Sequence, residues 1–402
     1  MPERLIFHVD VNSAFLSWEA VWRLRQGETT DLRTIPSIVG GDREKRRGVV
    51  LAKSIPAKAF GVATGEPIVD ALRKCPGLLC VPARHDLYSR CSRAFIEVLA
   101  RFAPVIEQVS VDEAFADMSG TGLLYGPPLE AAALIKNTIR GELGFTVNVG
   151  VSSNKLLAKM ASDFQKPDRI HTLFPDEIAQ KMWPLPVGKL FSVGQATKRC
   201  LADLGIHTIG DLAHSDLSLV RSHLKKQGEV IWHYANGLDE RPVEAAPAEP
   251  KSYGNETTLS KDITHLEEAR PVLLSLCESV AARLRADQVQ AACITVKYTD
   301  YQFGGQTHQR MLASPTDVTE ELYQTSVSLL AQMWKSRIPL RLLGVSASRL
   351  SGGGFYQYNL FDGQKHERLG RLDAAIDAIR SRYGSDAVRR GRFLPPPDRT
   401  VH

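Results

Sequence analysis

Three carboxylates lie at positions from which one β-sheet could bring them together. Asp10 follows the apolar run 5–9, a pattern typical of a buried strand that delivers a side chain at its end. Asp112 and Glu113 lie within segment 105–118, where apolar and polar residues alternate in two arms and predict two strands joined by a tight reversal. Carboxylate oxygens suit hard divalent cations, and two such cations can hold the attacking and leaving oxygens of a reaction in line. Adjacent acids are also ordinary in turns, so the pair alone indicates a metal site only weakly.

The elements around these acids mix strands and helices. Apolar runs and periodicity predict strands at 37–39, 48–52 and 146–151 and helices at 13–25, 87–102, 128–143 and 154–161. This order predicts an α+β core that extends to about residue 168. The core would bring the strand that ends at Asp10 beside the hairpin that carries the other two acids.

Two further regions follow the core. Residues 176–237 have a wholly helical pattern, which predicts a separate small helical domain, and 239–250 is rich in proline, alanine and glutamate and predicts an interdomain linker. A second α+β domain and a basic tail that ends in a helix are predicted from helical patterns at 267–286, 316–334 and 368–382 and strand patterns at 292–298 and 342–350.

Composition limits the class of protein. A chain of 402 residues with 43% hydrophobic and 24% charged residues is typical of a soluble protein with two or more domains. A net charge of +5 is compatible with nucleic-acid binding without demonstrating it. The six cysteines lack the paired short spacings of zinc or redox sites, so we expect reduced thiols. No stretch approaches a membrane span, and we therefore expect a cytoplasmic protein.

Three ordered motifs give the chain a family resemblance. They are 10–15 (DVNSAF), 110–114 (SVDEA) and 150–155 (GVSSNK). With these motifs the chain resembles the Y-family DNA polymerases, and the bacterial DNA polymerase IV branch most closely, from residue 5 to about 350. The resemblance implies a multidomain α+β fold, a right-hand polymerase with palm and fingers, a helical thumb and an α+β little finger.

The resemblance also assigns the acids. It implies that Asp10 and Asp112 are magnesium ligands, that the Val11 carbonyl is a further ligand, and that Glu113 is the third acid beside the primer hydroxyl. In this family two Mg²⁺ ions lower the barrier for attack of the primer 3′-hydroxyl on the α-phosphate. Manganese can replace magnesium, since oxygen ligands suit both ions.

The first motif also implies a nucleotide pocket. Phe15 matches the bulky family residue that leaves no room for a 2′-hydroxyl and so selects deoxynucleotides, and Asn12, Ser13 and Ala14 are expected beside it. Asn12 and Ser13 depart from residues common in relatives. Without the motif, Phe15 would be interpreted as a core aromatic of the first helix.

The fingers and one later lysine, Lys166, complete the predicted nucleotide site. Segment 52–61 resembles the family segment that touches the triphosphate, in which Ser54 and Lys58 are candidate contacts. The family usually has tyrosine at Ile55 and arginine at Lys58, so a phenolic hydrogen bond and a bidentate fork are lost. Lys166 is the stronger candidate for a phosphate contact. A solvated face is expected for two lysines of the preceding helix, Lys155 and Lys159.

The later regions resemble DNA-gripping elements. Gly194, Gly205 and Gly210 lie in turns that look like helix-hairpin-helix elements, whose backbone N–H groups bind phosphates, although such glycines also simply end helices. Lys251 opens the region that resembles the little finger, and Arg310 and Arg349 are further candidate contacts.

A short peptide after the last domain resembles a protein-binding motif. Gln357, Leu360 and Phe361 match the bacterial sliding-clamp-binding pentapeptide. The resemblance thus divides the chain into a palm at 1–175 with fingers at about 26–76, a thumb at 176–237, a linker at 238–250, a little finger at 251–350 and a tail at 351–402.

These observations predict a low-fidelity, template-directed DNA polymerase for translesion synthesis in DNA repair. Its partners would be primer–template DNA, deoxynucleoside triphosphates and a sliding clamp, and we expect a monomer that does not contact membranes. Two alternatives stay open. The departures at Ile55 and Lys58 are compatible with a clamp-tethered DNA-binding factor that has lost synthesis, and the acids with glycine turns are compatible with a two-metal nuclease.

Overall fold

The structure is a computed structural model that describes residues 4–41, 48–246, 249–335, 338–352, 363–384 and 386–391. The described chain divides into two compact units, one up to residue 246 and one from 249. In the first unit the strands are β1 (Ile6–Val11), β2 (Ser37–Gly40), β3 (Val50–Lys53), β4 (Leu79–Pro82), β5 (Val105–Gln108), β6 (Glu113–Asp117), β7 (Val147–Ser152) and β8 (Ile170–Thr172).

The helices of the first unit follow the predicted pattern closely. They are α1 (Ala14–Arg25), α2 (Ile55–Ala59), α3 (Ile68–Lys74), α4 (His85–Leu99), α5 (Gly122–Tyr125), α6 (Pro128–Leu143), α7 (Lys155–Ser162), α8 (Ile178–Lys181), α9 (Gln195–Asp203), α10 (Ile209–His214) and α11 (Leu217–Ala235). The helices predicted from the periodicity of the core are confirmed to within a few residues.

A five-stranded sheet in the order β5-β6-β1-β7-β8 forms the centre of the first unit. Strand β1 is antiparallel to both β6 and β7, with Asp10 opposite Glu113 on one side and opposite Asn148 on the other. Alternate residues point to opposite faces of a strand. Phe7, Val9 and Val11 accordingly enter the core under α1, α4 and α6, while Ile6, His8 and Asp10 face α7. The predicted hairpin with the acids at its tip is confirmed, because β5 pairs with β6.

A smaller sheet in the order β3-β2-β4 carries α2 and α3. Its core is a separate cluster that includes Ile38, Val50, Ala57 and Ile68, all buried. The short α2 begins at Ser54, whose hydroxyl accepts a hydrogen bond from the N–H of Ala57 at 3.1 Å. The strand pair predicted at 37–39 and 48–52 is confirmed as β2 and β3.

Helices α8 to α11 pack around one apolar cluster that also receives Leu156 and Leu157 of α7. The segment after α11 then lies against the five-stranded sheet. Val243 is buried there, and the N–H of Glu244 donates to Glu107 at 2.9 Å. The first half of the proline- and alanine-rich segment is therefore fixed to the first unit.

The second unit has an antiparallel sheet in the order β11-β10-β12-β9 with helices α12 and α13 on one face. Two of its strands, β9 and β11, were missed because their residues are mostly polar and exposed and show no apolar alternation. Its elements are β9 (Ser252–Ile263), α12 (Leu266–Ala286), β10 (Val289–Asp300), β11 (Gly305–Thr316), α13 (Thr319–Met333), β12 (Leu340–Gly352) and α14 (Gly363–Tyr383).

Within the described residues, no helix is long and apolar enough to cross a membrane. All six cysteines are unbridged, and three of them, Cys75, Cys277 and Cys293, are buried. Cys75 and Cys277 belong to the apolar core clusters, and Cys293 is 2% exposed, as expected for reduced cysteines.

Candidate active site

The three acids meet at one end of the five-stranded sheet. Asp10 is the penultimate residue of β1, and Glu113 is the first residue of β6, directly opposite. Asp112 lies in the turn, where its carbonyl accepts the N–H of Val11 at 2.9 Å and its carboxylate accepts the Ser110 hydroxyl at 2.6 Å. The register of β1 and β6 and the Val11–Asp112 hydrogen bond therefore place the three acids at the same end of the sheet.

Two lysines pair with two of these acids, Asp10 and Glu113. Lys159 on α7 forms a close ion pair with Glu113, and its ammonium lies 3.8 Å from Asp10. Lys166, in the loop after α7, lies 3.0 Å from the other oxygen of Asp10 and 2.8 Å from Asp163. Only 15% of the Lys159 side chain is exposed, so its positive charge interacts with the acids more than with solvent.

The expectation of a solvated lysine face on α7 is therefore wrong. Lys155 is buried and pairs with Glu107 at 2.6 Å, one helical turn before Lys159. Both lysines point toward the sheet because α7 packs on β1 and β7 with that face. The apolar parts of both side chains cover the sheet, and their ammonium groups reach carboxylates. The helical periodicity of the sequence alone does not show this arrangement.

The environment shifts the pKa values of the acids in opposite directions. Burial raises the pKa of Asp10, and Lys166 opposes that shift. The pKa of Glu113 falls to about 2, because the His8 imidazole and the Lys159 ammonium beside it favour the charged form more than burial disfavours it. Glu113 is thus a carboxylate at any physiological pH.

His8 is a functional neighbour that sequence reasoning missed. Its ring is fully buried, with Nε2 3.3 Å from the Glu113 carboxylate, outside good hydrogen-bond alignment, and Nδ1 2.8 Å from the Ser162 hydroxyl. Burial lowers the pKa of His8, which favours the neutral imidazole. Side chains two residues apart in a strand point to the same face, so His8 faces α7 as Asp10 does. This spacing in the sequence could have identified His8 as a neighbour of the acids.

The donor set fits a divalent cation in type. Asp10, Asp112 and Glu113 supply carboxylate oxygens at the sheet end, and hard cations such as magnesium prefer oxygen. Among the described residues, no group of three or more histidine, cysteine, aspartate or glutamate side chains is arranged to hold a metal ion. In this arrangement the positive charge beside two of the acids comes from Lys159 and Lys166.

Phe15 lies on the first turn of α1, beside the acid end of the sheet. The helix begins after Ser13, whose backbone is left-handed with a φ of 47°, and Ala14 is buried. The Phe15 ring is half-buried and stacks on Tyr88, with centroids 4.6 Å apart and an interplanar angle of 12°. Stacking on Tyr88 restricts the Phe15 ring, so this side chain is held in one position rather than mobile.

Asn12 joins the first motif to the loop that carries Lys166. Its side-chain Oδ1 accepts the N–H of Asp168 at 2.9 Å, and its Nδ2 donates to Oδ1 of Asn148 at 3.0 Å. Asn148 is fully buried and donates to the carbonyls of Ser162 and Gln165 at 2.9 and 2.6 Å. Asn148 was not identified from the sequence, where it is one polar residue within an apolar strand pattern.

The two nucleotide-binding candidates in the region of the small sheet, Ser54 and Lys58, differ in exposure. Ser54 is buried, and its hydroxyl accepts hydrogen bonds from the backbone N–H groups of Ala57 and Ser37. Lys58 is exposed on α2, as is Ile55, which has 60% of its surface accessible. Lys58 is therefore accessible to a phosphate, whereas the Ser54 hydroxyl stabilises the start of α2.

The glycines of the helical region have distinct roles. The N–H of Gly205 donates to Ala202 and that of Gly210 donates to Trp183, both at 3.0 Å. These two N–H groups are therefore already bonded within the protein, and contact of Gly205 and Gly210 with DNA stays a prediction. Gly194 immediately precedes α9, and a Cβ added to it would meet no other atom within 4 Å.

In the second unit Lys251 is exposed just before β9. Arg310 contacts the Ser328 hydroxyl at 3.3 Å, and Arg349 has a left-handed backbone with a φ of 54°. The predicted clamp peptide, with Gln357, Leu360 and Phe361, lies outside the described residues.

Comparisons with known proteins give the family. The model of the impB/mucB/samB family matches residues 9–163, and the model of the C-terminal domain of that family matches 250–360. The chain is 45% identical over 392 residues to DNA polymerase IV of Clostridium acetobutylicum, covering 97% of this chain and 98% of that protein. It is 39% identical over 393 residues to DNA polymerase IV of Pelotomaculum thermopropionicum, covering 97% and 96%.

A solved structure carries the same fold. It is a chimera of the Y-family DNA polymerases Dbh and Dpo4, with a TM-score of 0.76 and 24% identity, and the match covers 87% of this chain and 100% of that one. The predicted multidomain α+β fold of a right-hand polymerase is confirmed. The chain therefore belongs to the impB/mucB/samB family and, within it, to the DNA polymerase IV group of Y-family DNA polymerases.

Proposed function

We propose that this protein is a DNA-directed DNA polymerase that adds deoxynucleotides to a primer 3′ end in translesion synthesis, with Asp10, Asp112 and Glu113 as its catalytic acids. The observation that carries this assignment is the register of β1 and β6, which sets Asp10 opposite Glu113 with Asp112 in the adjoining turn. The comparisons support the reaction class, since the relatives from Clostridium acetobutylicum and Pelotomaculum thermopropionicum are named DNA polymerase IV.

The acids and the Val11 carbonyl would hold the metal ions of the reaction. Magnesium bound there would lower the barrier for attack of the primer hydroxyl and stabilise charge on the departing pyrophosphate. Glu113 is ionised at working pH, with a pKa of about 2, and so offers a lone pair toward the primer end without first losing a proton. Asp10 is partly shielded from water, which strengthens its interaction with any cation that it meets.

The remaining residues orient the incoming nucleotide. Phe15, held by Tyr88, supplies the wall against a 2′-hydroxyl, and Asn12, Ser13 and Ala14 shape the backbone that leads into it. Lys166 can turn from Asp10 to a phosphate, because it is 37% exposed. Lys58 offers a further point charge, and Ser54 acts by fixing the start of α2.

DNA would be gripped through its backbone by both units. In the helical region the first N–H groups of α9, after Gly194, are the best phosphate donors, because the N–H groups of Gly205 and Gly210 are already bonded. In the second unit the sheet face opposite α12 and α13 carries Gly254, Gly344 and Lys297. Lys297 pairs with Glu256 at 2.9 Å and could offer its charge to a phosphate instead. Lys251 lies at the start of that sheet.

The partners follow from this activity. They are primer–template DNA and deoxynucleoside triphosphates, and we further propose a sliding clamp bound through Gln357, Leu360 and Phe361, a monomeric state and action in the cytoplasm. The clamp proposal is supported only by the match to the pentapeptide.

The test compares extension with binding. Asp112→Ala should abolish primer extension and leave primer–template affinity within about twofold, because Asp112 would hold a metal ion rather than the DNA backbone. Ser110→Ala, which removes the partner of Asp112 but keeps the acid, is the matched control and should retain most activity. Full extension by Asp112→Ala would refute the assignment of the acids.

A further inference from the structure

Lys159 occupies an unusual position for a cation in a metal-dependent site. Its ammonium forms a close ion pair with Glu113 and lies 3.8 Å from Asp10, so it stands between two acids to which a metal ion would bind. The helix that carries it is packed on β1 and β7, and only 15% of its side chain is exposed. Lys159 therefore cannot simply move into solvent when a divalent cation arrives.

One acid lies within reach as an alternative partner. Asp163, four residues after Lys159, has an oxygen 3.9 Å from the Lys159 ammonium and is 49% exposed. Its other oxygen is paired with Lys166 at 2.8 Å. Lys166 is also the residue proposed to turn toward the triphosphate, and such a turn would release Asp163.

We propose that Lys159 is an internal counter-ion of the catalytic acids, which a divalent metal displaces from Glu113 and which Asp163 then receives. This inference rests on the proposed metal-binding role of Asp10 and Glu113. It assigns Lys159 and Asp163 as positioning residues that set the affinity and the order of metal binding. Metal alone has to displace the ammonium while Asp163 is shared with Lys166 through its other oxygen, so metal alone binds weakly. Nucleotide strengthens metal binding by drawing Lys166 away, which leaves the Asp163 charge to Lys159.

The physical reason is repulsion between like charges in a partly buried site. An ammonium a few ångströms from a divalent cation is unfavourable, and screening by water is weak there. Without the lysine, the acids would bind metal more tightly but would repel one another when no metal is bound. Lys159 thus stabilises the empty site and weakens metal binding.

The first measurement is Mn²⁺ binding to the full-length protein without DNA or nucleotide, by calorimetry or electron paramagnetic resonance. Lys159→Met should bind Mn²⁺ on the order of tenfold more tightly than wild type, and Lys159→Gln should do the same if the methionine variant folds poorly. Lys159→Arg keeps the charge and should not tighten binding. Lys181→Met breaks a lysine–glutamate pair on α8 and is the control for loss of a charge.

The second readout is thermal stability. Without metal, Lys159→Met should melt below wild type, and Mn²⁺ should raise its melting temperature by more than it raises that of wild type. Asp163→Asn should weaken Mn²⁺ binding in wild type but not in the Lys159→Met background, because Asp163 acts through the lysine. An equal effect in both backgrounds would overturn the role of Asp163 as the receiving acid.

Glu113→Gln separates this inference from the proposed function. The counter-ion inference is overturned if Glu113→Gln weakens Mn²⁺ binding while Lys159→Met binds Mn²⁺ no more tightly than wild type. It is also overturned if neither variant binds Mn²⁺. In both cases the assignment of the acids is judged by its own tests. If Glu113→Gln leaves Mn²⁺ binding unchanged, the metal assignment itself fails, and the inference fails with it. Tighter binding by Lys159→Met together with weaker binding by Glu113→Gln supports both.

Discussion

Asn148 is the side chain on which the geometry of the loop that carries Lys166 depends most. Its amide donates to the carbonyls of Ser162 and Gln165, and its oxygen accepts the N–H of Arg169 at 3.2 Å and the amide of Asn12 at 3.0 Å. These contacts fasten the loop that carries Lys166 to strand β7. Asn148→Ala removes all of them at a fully buried position.

The magnitude follows from the orphaned partners. Each buried polar group left without a partner costs about 1 to 3 kcal/mol, and some of these groups would recover a water molecule, so we expect a loss of about 3 to 5 kcal/mol in the free energy of unfolding. Asn148→Asp should lose at least as much, because it turns a carboxylate oxygen toward the Ser162 and Gln165 carbonyls.

The assay is urea unfolding together with steady-state extension kinetics. In the folded Asn148→Ala protein we expect a higher KM for deoxynucleotides, because the Lys166 loop is no longer fixed. Asn236→Ala is the matched control, since that amide caps carbonyls of Ala213 and Trp232 in the helical region, and it should lose about 1 kcal/mol without changing KM. A stability within about 1 kcal/mol of wild type for Asn148→Ala would refute this reasoning.

Two further predictions concern the acid site and the sugar pocket. Phe15→Ala should raise ribonucleotide incorporation at least about tenfold relative to deoxynucleotides in single-nucleotide extension, and unchanged sugar discrimination would remove Phe15 from its role. The pKa of Glu113 is lowered from 4.5 to about 2, so its charge stabilises the fold above pH 4.5 and this contribution is lost as pH falls toward 2. Relative to Glu113→Gln, wild type should therefore lose about 1 kcal/mol between pH 6.5 and 3.5 in urea unfolding, and a constant difference would contradict the pKa of Glu113.

Local pattern was sufficient for the elements that carry the acids. Residues 5–9 form an apolar run, and segment 105–118 alternates in two arms, so a buried strand and a hairpin were the natural predictions, and the register then brings Asp10 and Glu113 together. Both predictions depend on apolar residues that recur at the regular spacing of a buried strand face, and this spacing is visible in a single sequence.

Other features depend on contacts that a single sequence does not record. Lys159 appears on the polar side of a short amphipathic helix, and only the packing of α7 on β1 shows that this side faces acids. Strands β9 and β11 are polar because one face of the sheet is open, so the apolar alternation that marks a strand is absent. Asn148 is identified only by its partners, which come from remote positions in the chain.

The most direct test of the central claim is primer extension on a recessed template with magnesium and four deoxynucleotides, comparing wild type with Glu113→Ala and including a lane without nucleotides. The account predicts extension by wild type, none by the variant, and an unchanged primer when nucleotides are omitted. No extension by a wild-type protein that binds the DNA would favour a tethered DNA-binding factor instead. Shortening of the primer without nucleotides would indicate a nuclease, and either result would contradict the assignment of Asp10, Asp112 and Glu113 to DNA synthesis.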